Sequence, residues 1–169
     1  MAREPLWRQV VKRIARELKQ AGLSYKIVGG ASVALHGVEI PVKDIDIETS
    51  AEDAYRFEQL FLAEVVEPVT DKQSQRYRSH FGRFEFHGVI VEVMGDLQRR
   101  EQGHWNPTWT CTRTEIDLDG ELVNLSWLEE ETLAYVRRGR MGRAARCLEK
   151  CDPERMLALL RGEQPTNVL

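Results

Sequence analysis

The sequence predicts an α/β (α+β) sheet domain with a helical C-terminal part. Three observations predict it. Short apolar or alternating runs stand between amphipathic helices in the first half. Two glycine-turn hairpins follow. After Ser126 only the helical period remains. The order helix–strand–helix–strand–helix–hairpin–hairpin–helices departs from a regular doubly wound alternation. It divides the chain into an α/β core over 1–125 and a helical extension over 126–169.

Leu6, Val10, Val11, Ile14 and Leu18 recur at helical spacing and stop at Ala21-Gly22, which predicts a first amphipathic helix. "SYKIVGG" reads as a short strand ending in a tight turn, and "ASVALHG" as a short helix closed by Gly37. "KDIDIE" alternates, placing Ile45 and Ile47 on one face and Asp44, Asp46 and Glu48 on the other. Ser50 with Asp53 resembles a capping box and starts a helix striped by Phe57, Leu60, Phe61 and Val65. "RFEFHGVIVEVMGD" predicts a hairpin turning at His87-Gly88, and "RTEIDLDGELVNLS" a second turning at Asp119-Gly120. Ser126 with Glu129 reads as another capping box, Gly139 and Gly142 break the helical run, and Asp152-Pro153 starts the last helix.

The 169 residues are 42% hydrophobic and 30% charged, enough apolar matter for one core. A net charge of −3 with a pI of about 5.9 gives no global reason to expect nucleic-acid or membrane binding. No apolar run approaches the roughly 18 residues of a membrane helix. The N-terminal stretch has no signal-peptide pattern. Cys111, Cys147 and Cys151 make an odd count without a disulfide framework, so the expected setting is reducing and cytoplasmic. Cys147 and Cys151 are expected as core or half-buried thiols on one helix face rather than as metal ligands.

Asp44 and Asp46 carry the chemistry. On one strand face they stand about 7 Å apart, poor for a stable surface and suited to a divalent cation. Glu92 is the one charge inside the apolar run of "GVIVEVMGD", before its closing Asp96, and is the third carboxylate such a site needs. A purely structural alternative pairs Glu92 with Arg78 or Arg83. Gly29 and Gly30 end the preceding strand, where bare backbone can approach a phosphate; by itself this is also an ordinary turn. Ser32 offers a hydroxyl at the start of the following helix. Together these residues point to a metal ion and a nucleoside triphosphate.

"VGG", thirteen residues, then "DIDI" resembles the signature of the DNA polymerase beta-type nucleotidyltransferase superfamily, at Val28, Gly29, Gly30, Asp44, Ile45, Asp46 and Ile47. The likeness is tightest from Tyr25 to Glu48. "ALHGVEIPVKDIDI", "SHFG", "VEVMGD" and "AYVRRGR" extend it to small bacterial nucleotidyltransferase-like proteins, with lincosamide and aminoglycoside adenylyltransferases as more distant relatives. The resemblance implies a mixed β-sheet with flanking helices and two Mg²⁺ ions, with Mn²⁺ as the alternative, on Asp44, Asp46 and Glu92. It implies an NTP donor such as ATP, in-line attack by an acceptor hydroxyl, and Glu92 helping to deprotonate that acceptor. Where antibiotic adenylyltransferases often carry an arginine before the first aspartate, this chain has Lys43, a charge without the bidentate fork. The acceptor is left open between small molecule, protein and RNA. A regulatory module with a toxin partner or a second copy, and a degenerate nucleotide-binding domain, are the alternatives.

His80 reads mainly as a structural histidine. The stretch Arg137, Arg138, Arg140, Arg143, Arg146 and Lys150 reads first as a solvated helix face balanced by Glu129 to Glu131. Its second reading is an electrostatic wall for a polyanion such as a tRNA end.

Overall fold

Gly22 ends the first helix as the sequence predicts. At φ +67° it takes the left-handed conformation, and its N–H reaches Lys19 O at 3.2 Å. The computed structural model describes residues 4–108 and 113–163. In chain order its elements are α1 (Leu6–Ala21), β1 (Tyr25–Val28), α2 (Gly29–Leu35), β2 (Asp44–Thr49), α3 (Ala51–Leu60) and β3 (Val65–Gln73). There follow β4 (Tyr77–Phe86), β5 (Val89–Glu101), β6 (His104–Pro107), β7 (Thr114–Leu118), β8 (Glu121–Leu125), α4 (Leu128–Arg137), α5 (Met141–Leu148) and α6 (Pro153–Leu160).

The strands form one mixed sheet in the order β3-β4-β5-β2-β1-β8-β7, with β6 paired to β5. β2 runs parallel to β5 and β1 parallel to β8; the other pairs are antiparallel. Both hairpins turn where the sequence places them, with His87-Gly88 and Asp119-Gly120 at positive φ. Two consecutive positive φ values match the twist of the flanking strands.

One sheet face packs against α1 and α3. Val11, Ile14, Ile45, Ile47, Phe57, Phe84, Val91 and Val93 are among its buried residues. Gly95 lets α3 lie close, because a Cβ there would come within 2.8 Å of Ser50 O. A smaller cluster joins Val33 of α2, Leu128 and Tyr135 of α4, and Cys147 of α5.

The structure corrects several local expectations. Gly29 and Gly30 lie inside the first turn of α2 rather than in a separate turn before it. Leu60 is 41% exposed and lies outside the buried stripe, while Phe61 caps α3 fully buried. Val65, expected in the α3 stripe, opens the strand β3 instead. Pro68 disguises it, and β3 lies at the sheet edge, where a missing N–H is tolerated. Ser126 does not cap α4, whose N-cap is Trp127; its hydroxyl donates instead to Glu131 Oε1 at 2.6 Å. Glu129 accepts from Asp152 N at 2.6 Å, tying α6 to α4. Gly142 lies within α5 and does not break it. Cys147 is buried in α5, and half-buried Cys151 lies beyond the end of that helix; Cys111 lies outside the described residues.

Candidate active site

Strand register gathers the carboxylates. Val28 pairs with Asp46, Asp46 with Glu92, and Glu92 with Arg83, so one row crosses β1, β2, β5 and β4. The next row on the same face runs Lys26, Glu48, Met94 and Phe81. Asp44 lies on the same face of β2, two residues before Asp46. Asp46 and Glu92 therefore stand one strand spacing apart, roughly 4.8 Å between backbones.

Gly29 fits this row because nothing larger would. Its φ is +67°, and a Cβ there would meet Asp46 Oδ2 at 2.7 Å. The Asp46 carboxylate therefore rests against bare backbone at the start of α2. Burial, then the charges of Asp44 and Glu92, push the Asp46 carboxyl up to about 7.

Glu92 is held by Arg83, whose Nε and Nη2 donate to Glu92 Oε1 at 3.1 and 2.7 Å. This is the arginine pairing open in the sequence. Among the described residues no three His, Cys, Asp or Glu side chains converge into a ready metal cage. The donor set still fits a hard cation: three carboxylates on one face, with a repulsion at Asp46 that a cation would relieve. Glu92 would exchange Arg83 for such an ion.

Beside Asp46 opens a cavity of about 710 Å³, between the sheet and α4. Its floor includes Lys26, Asp46, Glu48 and Met94, and its roof includes Ala134, Arg137 and Arg138. Glu48 is buried and accepts from the Thr108 hydroxyl at 2.7 Å. Burial raises its carboxyl pKa; the Lys26 charge and the Thr108 bond oppose that rise. Buried Lys26 lies 3.7 Å from Glu130 Oε2.

Gly29 and Asp46 line the cavity together. Ser32 is placed elsewhere: fully buried, its Oγ lies 2.9 Å from Ser126 Oγ. Ser126 commits its proton to Glu131, so Ser32 is the donor of that pair. His80 lies 3.0 Å from the Tyr55 hydroxyl of α3 and belongs to the opposite sheet face. The arginine stretch divides. Arg137 and Arg138 border the cavity, whereas Arg143 stacks on Tyr135 and Arg146 donates to Glu39 O. Lys26, Thr108, Arg76 and Arg99 are cavity residues the sequence reading missed, and Glu48, placed there on the face of Asp44 and Asp46, was given no role. The alternation of "YKIV" held the one usable signal, a lysine among strand apolars.

The model of the aminoglycoside-2''-adenylyltransferase family matches residues 10–156. This chain belongs to that family. Its structural relatives agree. A candidate nucleotidyltransferase from Thermotoga maritima, TM1012, is 29% identical, with a TM-score of 0.77 over 96% of this chain and 97% of its own. ANT(2'')-Ia in complex with adenylyl-2''-tobramycin is 11% identical, with a TM-score of 0.62 over 94% and 97%. The lincomycin-bound adenylyltransferase LnuA is 13% identical, with a TM-score of 0.50 over 72% and 80%. No curated protein matches. The mixed sheet is thus the nucleotidyltransferase fold, and nucleotidyl transfer is the activity the family membership supports. Among the described residues no helix is long and apolar enough to cross a membrane.

Proposed function

We propose that this chain is a divalent-cation-dependent nucleotidyltransferase, moving a nucleoside monophosphate from an NTP to a hydroxyl-bearing acceptor in the cavity under α4. The strand row that sets Asp46 beside Glu92, with Gly29 backbone against Asp46 and Asp44 on the same face, carries this reading. Asp44, Asp46 and Glu92 would hold Mg²⁺, or Mn²⁺ in its place. When bound, the ions neutralise charge developing on the transferred phosphoryl group and its leaving pyrophosphate.

The chain's own residues supply the rest. Gly29 and Gly30 let the donor's phosphates approach the first turn of α2. Glu92, released by Arg83, takes the acceptor's hydroxyl proton at a carboxylate oxygen. The acceptor oxygen then bonds to the α-phosphorus as the bond to pyrophosphate breaks. Arg138, whose charge reaches Asp46, balances the carboxylates from the α4 side.

A thermal-shift titration with ATP, GTP, CTP and UTP, with and without Mg²⁺, tests the donor site. One nucleotide at 100 times its Kd adds about 2.7 kcal/mol. The shift requires Mg²⁺ and disappears in Asp46→Asn. No shift with any nucleotide overturns the reading. The Arg83–Glu92 pair favours one second reading, a module on this fold that binds a partner, such as a toxin or a second copy, without transfer. That reading predicts no nucleotide binding in Arg83→Gln either.

A further inference from the structure

We propose that the acceptor is a small molecule bearing a phosphate group, and that Arg76, Arg99, Arg137 and Arg138 grip that phosphate. This rests on the nucleotidyl-transfer reading. The four arginines line the cavity that contains Asp46, and they also line an adjoining cavity of about 350 Å³. They come from three elements: Arg76 precedes β4, Arg99 lies near the end of β5, and Arg137 and Arg138 close α4. Four guanidinium groups from separate segments repel one another unless an anion joins them.

Nearby acids offset this end only in part: Glu101 lines the adjoining cavity, and the Arg138 charge reaches Asp46. Among the described residues Arg76, Arg137 and Arg138 form no ion pair within 4.0 Å, and Arg99 is paired with Glu101 at 2.7 Å. The cavity's own acids are engaged elsewhere: Glu48 with Thr108, Glu130 near Lys26, and Asp46 beside Glu92. Burial and then the Arg99 charge lower the Arg137 pKa, and the Glu101 charge offsets that only in part. A polycationic acceptor such as an aminoglycoside would meet this wall with like charge.

Position along β5 separates Arg99 from the donor. Arg99 lies seven residues beyond Glu92 on β5, at most roughly 23 Å along the strand. The donor's phosphates belong at Gly29 and the carboxylates, so the far anion belongs to the second substrate. A phosphate carries close to two charges at neutral pH and accepts bidentate guanidinium bonds. Between the two ends Phe81 and Met94 give the body of the acceptor an apolar floor. The volume suits a small molecule held in a cleft rather than a nucleic-acid backbone on an open surface. The acceptor's hydroxyl, not its phosphate, attacks the donor, and its proton goes to Glu92 as in the reaction above.

The test is calorimetric titration of inorganic phosphate into the full chain, alone and saturated with Mg²⁺ and a non-hydrolysable ATP analogue. Phosphate binds in both states. The Arg99→Gln/Arg137→Gln double variant weakens it at least tenfold and leaves analogue affinity within twofold. Arg137→Lys, which keeps the charge, retains most of the binding and checks that lost charge rather than lost folding is read. Phosphate binding abolished by the analogue, or an analogue affinity that falls in the double variant, assigns the arginines to the donor triphosphate and overturns the proposal. So does phosphate binding that is absent, or equal in wild type and double variant. Binding of tobramycin, or of tRNA, in place of phosphate also overturns it. Phosphate binding at the arginines without any analogue binding leaves the anion site standing and sinks the transfer reading instead.

Discussion

On the face covered by α1 and α3, Ile45, Ile47, Val91 and Val93 are wholly buried. One residue along the same two strands, Asp46, Glu48, Glu92 and Met94 face the α4 side. The first face is dry and closed by aromatic pairs, such as Phe57 with Phe84 at 4.8 Å between ring centres. The second keeps charge buried or half-buried beside a cavity of about 710 Å³. Burying charge without a partner costs several kcal/mol, while each buried aromatic on the other face stabilises the fold by a comparable amount. The period-two pleat lets one sheet divide these tasks: apolar packing on one side offsets electrostatic strain stored on the other.

Exchanging a residue on each face breaks that comparison most sharply. Asp46→Asn lowers nucleotidyl transfer by at least about 10³-fold, since several kcal/mol of charge stabilisation goes with a lost metal ligand. Its urea midpoint at pH 8, without metal, does not fall, because the substitution removes repulsion. A midpoint well below wild type would place Asp46 on the structural side.

Phe57→Ala does the reverse. The loss of a fully buried ring costs about 3–5 kcal/mol by urea unfolding. Turnover per folded molecule stays near wild type at low temperature. A specific loss of turnover at full stability would show that the two faces are coupled.

The pH dependence sharpens the contrast. Asp46 has its folded pKa raised to about 7 from 3.8. Between those values the folded state holds more protons than the unfolded one, so stability falls as pH rises. The metal-free protein loses up to about 4 kcal/mol across that window. Mg²⁺ or the Asp46→Asn substitution flattens the slope. An equally steep slope in the variant would move the effect to another group.

Two smaller effects probe the support of the site. Ser126→Ala leaves buried Glu131 and Ser32 without their shared hydroxyl, at a cost of about 1–3 kcal/mol in thermal unfolding. Arg83→Gln changes stability by less than about 1 kcal/mol, because the arginine side chain stays 43% exposed and its ion pair is screened by water. It tightens Mn²⁺ binding, read by paramagnetic relaxation, by freeing Glu92. Weaker Mn²⁺ binding would mean that Arg83 orients Glu92 rather than blocking it.

Much of this was legible in the sequence where the cause is local. Ser50 accepts from Asp53 N at 3.1 Å as the capping pattern predicts, although the Asp53 carboxylate turns away to Ser24 N and Arg56. Asp152 caps α6 through Glu154 N and Arg155 N. The alternation around Ile45 and Ile47 fixed which side of β2 carries carboxylates. Ser32 and Ser126 were misjudged for one shared reason. Each hydroxyl's partner lies far along the chain: Ser32 meets Ser126 across 94 positions. Local capping rules cannot see such a competitor.

The sequence by itself determined the strand faces, the hairpin turns and the three carboxylates, since each follows from a period or a turn a few residues long. Tertiary structure decided the register that sets Asp46 against Glu92, the Arg83 clamp, and the arginines of β5 and α4 that share one cavity. Those juxtapositions arise from strand order and helix packing between distant segments. No local pattern encodes them, because their free energy exists only once the sheet has closed and α4 has covered it.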